Sequence, residues 1–323
     1  MGDTGSSIQR EDLVHHNHHT PTTAKTTMMR ELLHSRSLGF LMEAHNGLSA
    51  RIVEDVGFSG IWASGFSIST ALGVRDSNEV SAGEVLDTVA YMADATRIPI
   101  MVDGDTGYGN FNNARRFVRQ LCRLGVAGVC IEDKLFPKTN SFIGDRQPLA
   151  DADEFRGKIA ACKDSQTDDD FCVIARVEAL VSGFSLAEAL GRAEAYRQAG
   201  ADAVFIHSKR KDGKEVLAFA REWGRRSPLV ITPTTYHRSV GVDTFERAGI
   251  STLIWANQNM RASMRAMREV SEEVFRKQRV SDVEQDLVPV QEVFDFLDYG
   301  ELDDASRRYL PADPAPASRR NAS

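Results

Sequence analysis

The 323-residue chain is 42% apolar, enough for one large core, and carries a net charge of -7. No basic block or aromatic-plus-Lys/Arg patch interrupts that acidic balance, so nucleic acid is not an expected partner. No apolar run approaches the roughly 18 residues that a membrane-crossing helix needs. The polar start shows no signal-peptide core, and the 4 cysteines lack C-x-x-C spacing, so the expectation is a reduced, cytoplasmic protein without a disulfide framework or zinc ribbon.

Residues 1–24 form a polar leader rich in Ser, Thr, Gly and His. Its cluster of His15, His16, His18 and His19 reads as a disordered leader or tag remnant, with a capacity to bind a stray metal ion. From 25 to 310, short apolar β-rich runs recur, each followed by a helix-length segment. Strands are expected at 39–44, 60–64, 98–103, 128–132, 171–177, 203–207, 229–232 and 252–255. These runs are nearly continuous in Val, Ile, Leu, Phe and Ala, as suits strands buried on both faces of a parallel sheet. Segments 112–124 and 186–198 carry apolar residues at helical spacing, and helices end at Gly125 and Gly200 just before the next strand. Eight strand–helix units point to an α/β architecture, a closed (β/α)8 TIM barrel. A doubly wound open sheet is the runner-up, but no G-x-G-x-x-G follows the first strand. Two further helical segments, 260–277 and 289–297, exceed what a barrel wall needs and suggest a helix used in subunit contact. The Pro/Ala/Ser-rich end, 311–323, is expected to be loose.

In such a barrel the active site lies at the C-terminal ends of the strands. There the chain presents Glu43 and His45, Ser64 and Gly65, Asp103 and Asp105, Glu132 and Asp133, Arg176 and Glu178, His207 and Ser208, Thr232 and Thr234, and Asn257. Asp103, Asp105 and Glu132, on neighbouring strands, repel one another unless compensated. All-oxygen donors favour Mg2+, with Mn2+ as the alternative, over zinc. The competing reading pairs the same carboxylates with Arg or Lys in a structural network. Arg176 and His207 are expected to form a positive arc opposite them, Arg as a bidentate fork for a phosphoryl or carboxylate group and His as one more donor. A strand-end His alone is more often a satisfied structural residue. The small residues of Ser64-Gly65-Phe66 let backbone N–H groups approach an anion.

Two loops exceed what connection requires. One is 72–79, after the second strand; the other is 134–141, after the fourth, continuing through 142–148 with Gly144. The second reads as a lid that delivers Lys138 and Asn140 on closure, or else as an ordinary solvated loop.

The run Asp103-Gly104-Asp105-Thr106-Gly107-Tyr108-Gly109-Asn110 resembles the metal-binding segment of the isocitrate lyase and phosphoenolpyruvate mutase superfamily. Glu132-Asp133-Lys134 through Ser141 looks like the lid of its phosphoenolpyruvate mutase branch. The similarity spans residues 25–310 and takes in 72–79, 175–179 and His207-Ser208-Lys209. It implies a barrel that swaps its last helix with a neighbouring subunit, a homodimer or homotetramer, bound Mg2+, and small pyruvate-like substrates. By the same resemblance Asp103 contacts the metal directly, while Asp105 and Glu132, with Asp76, hold its water ligands. Asp76 also matches an essential carboxylate near the reacting groups, expected to steer the phosphoryl group rather than carry it covalently. Lys138 and Asn140 match lid residues, Arg176 and His207 substrate-binding residues, and Trp62, Ser64, Gly65 and Phe66 line the pocket.

Local differences separate the branches. Isocitrate and methylisocitrate lyases carry a cysteine in a Lys-Lys-Cys-Gly-His-type lid; this lid has none, which removes carbon–carbon lyase activity. Phosphonopyruvate hydrolase is the nearest competitor, but its lid lacks the Lys-Thr-Asn-Ser run kept here at 138–141. Three departures from the branch pattern are Gly104 where Ala is usual, Phe66 where Leu is usual, and a 142–147 stretch one residue shorter. The implied activity is interconversion of phosphoenolpyruvate and 3-phosphonopyruvate for phosphonate biosynthesis, feeding a downstream phosphonopyruvate-consuming enzyme. Hydrolysis, or another 2-oxoacid reaction, is the alternative.

Overall fold

A computed structural model describes residues 23–144 and 147–310. The 311–323 tail and the leader through residue 22, with its His cluster, lie outside the described residues, as do two positions of the 142–147 stretch. All eight expected strands are present: β1 Gly39–Ala44, β2 Gly60–Ala63, β3 Ile100–Asp103, β4 Gly128–Glu132, β5 Cys172–Val177, β6 Ala203–Ile206, β7 Leu229–Ile231 and β8 Thr252–Trp255. Each pairs in parallel with the next, and β8 closes on β1. The fold is a (β/α)8 TIM barrel.

The helices are α1 Lys25–His34, α2 Gly47–Val56, α3 Gly65–Ala71, α4 Ala82–Ala95, α5 Phe111–Arg123, α6 Ala152–Lys163, α7 Leu186–Gln198, α8 Lys214–Trp223, α9 Val242–Arg247, α10 Gln258–Lys277, α11 Val290–Phe296 and α12 Tyr299–Tyr309. Their starts follow the sequence: side chains of Asn46, Ser64, Ser81, Asn110, Asp151 and Ser185 each accept a first-turn N–H. By internal packing the chain divides into two compact units, one ending at Ala262 and one beginning at Ser263.

Two packing layers position the site. Leu41, Trp62, Met101, Cys130, Ile174, Phe205, Val230 and Ile254 fill the barrel interior. Their strand neighbours Ile61, Val102, Val129, Val173, Val204 and Leu253 pack outward against the helices. Side chains alternate with a period of two, so one more inward step along each strand reaches Glu43, Ser64, Asp103, Glu132, Arg176, His207 and Thr232. The interior thus changes from apolar to charged at the C-terminal rim. At the opposite end Met29 and Leu33 of α1 join the interior cluster, and Arg30 pairs with Asp170 and Asp202 beside the starts of β5 and β6. Helix α1 therefore plugs the N-terminal mouth.

The second unit contains the rest of α10, then α11 and α12, the last of which the hydrophobic pattern does not announce. Phe294 and Tyr299 pack between α11 and α12 at a 5.0 Å ring separation. Phe275, Val288, Leu302 and Tyr309 of this unit are exposed. Among the described residues no helix is long and apolar enough to cross a membrane, and all 4 cysteines are free.

Candidate active site

The rim of the barrel surrounds a cavity of about 930 Å³. Trp62, Ser64, Phe66, Asp76, Asp103, Lys138, Asn140, Arg176 and His207 line it; Gly65, Asp105 and Glu132 lie behind that lining. The site is built by two loops folding over the strand ends.

Loop 134–144 lies against the mouth. Lys138 is only 6% exposed. Its Nζ sits 2.8 Å from Asp76 Oδ1 and 2.7 Å from Asp105 Oδ1. Asn140 Nδ2 donates to Asp76 Oδ2 at 2.6 Å. A wholly solvated loop is incompatible with these contacts. The loop's base is also fixed from inside: Lys134 Nζ donates to Thr139 O at 3.0 Å and Ser141 Oγ at 2.6 Å.

The metal-like loop is held in a demanding backbone shape. Asp105 and Tyr108 have φ of 49° and 56°, and Gly107 has φ of 85° with Ala114 Cβ only 2.8 Å from where a side chain would start. Lys158, buried on α6, donates to Thr106 O and Gly109 O at 3.0 Å each and clamps the loop. Gly65 N donates to Asp103 Oδ2 at 3.3 Å, and a Cβ at Gly65 would stand 3.1–3.3 Å from the Asp105 and Asp103 carboxylates. The departure at Gly104 has a packing reason: an added Cβ would meet Val129 Cγ2 at 2.7 Å.

On the other side of the cavity, Arg176 and Glu132 are register partners on β5 and β4, with Nε 3.3 Å from Glu132 Oε2. The same Nε lies 2.5 Å from Glu178 Oε1, and the guanidinium stacks over Phe205 at 5.0 Å. His207 Nδ1 is 2.7 Å from Glu178 Oε1. Ser141 Oγ donates to Glu178 Oε2 at 2.8 Å. Glu178 thus gathers both proposed substrate-binding side chains and the end of the lid. Burial would push its carboxyl up, but Arg176, His207 and Lys134 together hold it well below the usual range. Burial lowers the His207 pKa, with Arg176 and Lys134 adding to the effect against Glu178. Arg176 and His207 are thus brought together at Glu178, with Arg176 Nη2 2.9 Å from His207 Nδ1.

The acidic side shows the opposite imbalance. Burial raises the Asp103 pKa, with Glu132 and Asp76 adding to it and Lys138 and Arg176 opposing. Burial likewise pushes Asp105 up to about 7 despite the Lys138 ammonium, with Asp103 and Asp76 as further causes. Glu132 Oε1 is buried without a hydrogen-bond partner; Lys134 Nζ is 3.9 Å away. Five linked carboxylates (Asp76, Asp103, Asp105, Glu132, Glu178) face three fixed cations (Lys134, Lys138, Arg176). Pairing with Lys and Arg is thus real but incomplete, since the carboxylates outnumber the fixed cations by two. Among the described residues no three His, Cys, Asp or Glu side chains converge to cage a bare ion. The donor set fits a divalent cation that keeps most of its water shell, as Mg2+ does.

Three residues to which the sequence reading gave no role, Asn78, Lys134 and Ser141, bind this site together with Glu178, which it placed at the rim without one. Glu178 had a readable signal, since it continues the inward period of Cys172, Ile174 and Arg176.

Comparison with known proteins agrees with this geometry. A protein from Tetrahymena pyriformis named phosphoenolpyruvate phosphomutase is 54% identical over 90% of this chain and 96% of its own. The crystal structure of phosphoenolpyruvate phosphomutase from Streptomyces platensis subsp. rosaceus superimposes with a TM-score of 0.86 at 41% identity, covering 88% of this chain and 99% of that one. A phosphonopyruvate hydrolase in complex with oxalate and Mg2+ follows, with a TM-score of 0.84 at 37% identity, covering 89% and 100%. Residues 29–275 match the phosphoenolpyruvate phosphomutase family model, and the chain belongs to that family.

Proposed function

We propose that this protein is a Mg2+-dependent isomerase interconverting phosphoenolpyruvate and 3-phosphonopyruvate by intramolecular phosphoryl transfer. The observation that carries this reading is the lid: Lys138 and Asn140 both reach Asp76 across the mouth. The reaction breaks the bond from phosphorus to the enol oxygen and forms one from phosphorus to carbon three. Substrate and product are isomers, so no water, proton or second substrate enters.

Asp103 would hold Mg2+ directly, with Asp105 and Glu132 acting through its water ligands. When bound, that ion supplies positive charge for the pyruvyl carboxylate and enolate oxygens; Mn2+ is the alternative. Phosphoryl transfer passes through a loose, metaphosphate-like state, so positioning and charge stabilisation outweigh nucleophile strength. Arg176 offers a fork for the phosphoryl oxygens, oriented by Glu178 and Phe205. His207 and Asn140 add directional hydrogen bonds. Trp62, Ser64, Gly65 and Phe66 shape the pyruvyl end. Asp76, held ionised by Lys138 and Asn140 against the effect of burial, repels the migrating anion and steers it toward carbon three. Lys138 neutralises the charge this places beside the substrate. The closed lid excludes water, and that exclusion separates isomerisation from hydrolysis.

The hydrolase alternative rests on the similarity to phosphonopyruvate hydrolase. Phosphorus NMR distinguishes the two, because isomerisation yields phosphoenolpyruvate and hydrolysis yields inorganic phosphate. The exposed apolar residues after Ser263 support a homodimer or homotetramer that exchanges a C-terminal helix. Forming a C–P bond at the expense of an enol phosphate is uphill, so a downstream enzyme, a decarboxylase, must consume phosphonopyruvate. A cytoplasmic location suits the small metabolite substrates.

A further inference from the structure

Loop 72–79 offers more to the site than Asp76. Glu79 accepts from Arg75 N at 2.9 Å and pairs with the Arg75 side chain, closing the loop on itself. Asn78 then adopts φ of 57°, a left-handed conformation that Asn tolerates better than most residues. Its side chain spans two other segments. Nδ2 donates to Asp105 Oδ2 at 2.7 Å, and Oδ1 accepts from the backbone N–H of Lys138 at 2.6 Å. The two contacts fix the amide orientation, because a flipped amide would face a carboxylate with an oxygen and an N–H with a donor.

We infer that Asn78 is a positioning residue, a latch that ties lid closure to the acidic loop. Asn78 is not itself part of the cavity lining and reaches the site only through Lys138 and Asp105. It registers whether both sides are in place: the lid backbone at Lys138 and the carboxylate of Asp105. The Lys138 ammonium, which bridges Asp76 and Asp105, starts from the residue whose N–H Asn78 holds. Loss of the latch frees the lid at the point from which that bridge is delivered. The consequence for the proposed reaction, on which this inference rests, is that closure becomes incomplete and water competes for the phosphoryl group.

Asn78→Gly is the sharpest test, since glycine takes the positive φ without strain and deletes only the two hydrogen bonds. Asn78→Asp keeps the acceptor but turns the other oxygen toward Asp105. Trypsin cleavage after Lys138, followed by mass spectrometry, reads lid opening without any catalysis, with Mg2+ and oxalate as probes of the closed state. Both variants should be cut about ten-fold faster than wild type while keeping the wild-type circular dichroism spectrum. Both should also lose at least ten-fold in kcat, with KM for phosphonopyruvate moving less than three-fold, and release a larger share of inorganic phosphate. Cleavage at the wild-type rate overturns the latch whatever the activity. Faster cleavage with unchanged kcat and product partition overturns the positioning role. If wild-type enzyme fails to convert phosphonopyruvate, the proposed function falls, and the cleavage rates alone decide the latch.

Discussion

Asn140 on the lid donates to Asp76 on the β2 loop at 2.6 Å, so two segments 64 residues apart meet over the barrel mouth. The contact holds the Asn140 amide in the cavity lining, which Arg176 shares. A preorganised donor of this kind acts chiefly on charge that moves during reaction, and removing one costs roughly 100-fold in turnover. Asn140→Ala should therefore lower kcat by about that factor and shift KM far less. Steady-state kinetics with phosphonopyruvate checks this, and unchanged turnover would reduce the lid to a passive cover.

Lys138 is a different case, because it sits between two carboxylates rather than at the end of one hydrogen bond. Burial opposes its charge, but Asp105 and Asp76 hold its pKa well above the usual lysine value. Lys138→Met removes a buried cation and leaves both carboxylates uncompensated, a change on the order of 3 kcal/mol or more. Activity should fall by at least 100-fold, and trypsin should open the altered lid at Lys134. A variant retaining a tenth of wild-type turnover would show that the bridge is dispensable.

The metal reading rests on Asp103 having no strong protein donor: Gly65 N and Asp105 N approach its oxygens only at 3.3 and 3.4 Å. Asp103→Ala should abolish activity and calorimetric Mg2+ binding. Asp105→Ala and Glu132→Ala should mainly weaken Mg2+ affinity, about 10- to 100-fold. Full turnover after exhaustive chelation contradicts metal dependence.

Glu178 makes a prediction about pH. Its carboxyl is held well below the usual value by Arg176, His207 and Lys134 against the cost of burial. A depressed carboxyl contributes stability that is present above its unfolded pKa near 4.5 and lost as pH falls toward the folded value. Glu178→Gln should therefore be clearly less stable than wild type at pH 7, and the gap should narrow below about pH 4.5. Denaturant melts across that range check it; a gap independent of pH would mean that Glu178 contributes packing rather than charge.

Much of this molecule is legible from the chain alone, and the reasons are local. Every strand was located within two residues, because each is a short apolar run bounded by helix caps and glycines. The period of two then places Asp103, Glu132, Arg176 and His207 at the rim without further information. What sequence could not supply is pairing between distant loops. Asn78, Lys134 and Ser141 look like ordinary loop residues until β2 and β4 bring their loops together. Helix α1 was unread because only Met29 and Leu33, one turn apart, mark it as the plug of the barrel floor.

The account's central claim is isomerisation within a closed, water-excluding site, and phosphorus NMR tests it most directly. Phosphonopyruvate incubated with the enzyme and Mg2+ should convert to phosphoenolpyruvate, with inorganic phosphate at trace level and no conversion once Mg2+ is chelated. Inorganic phosphate appearing in step with pyruvate, without phosphoenolpyruvate, would contradict it and make the protein a hydrolase.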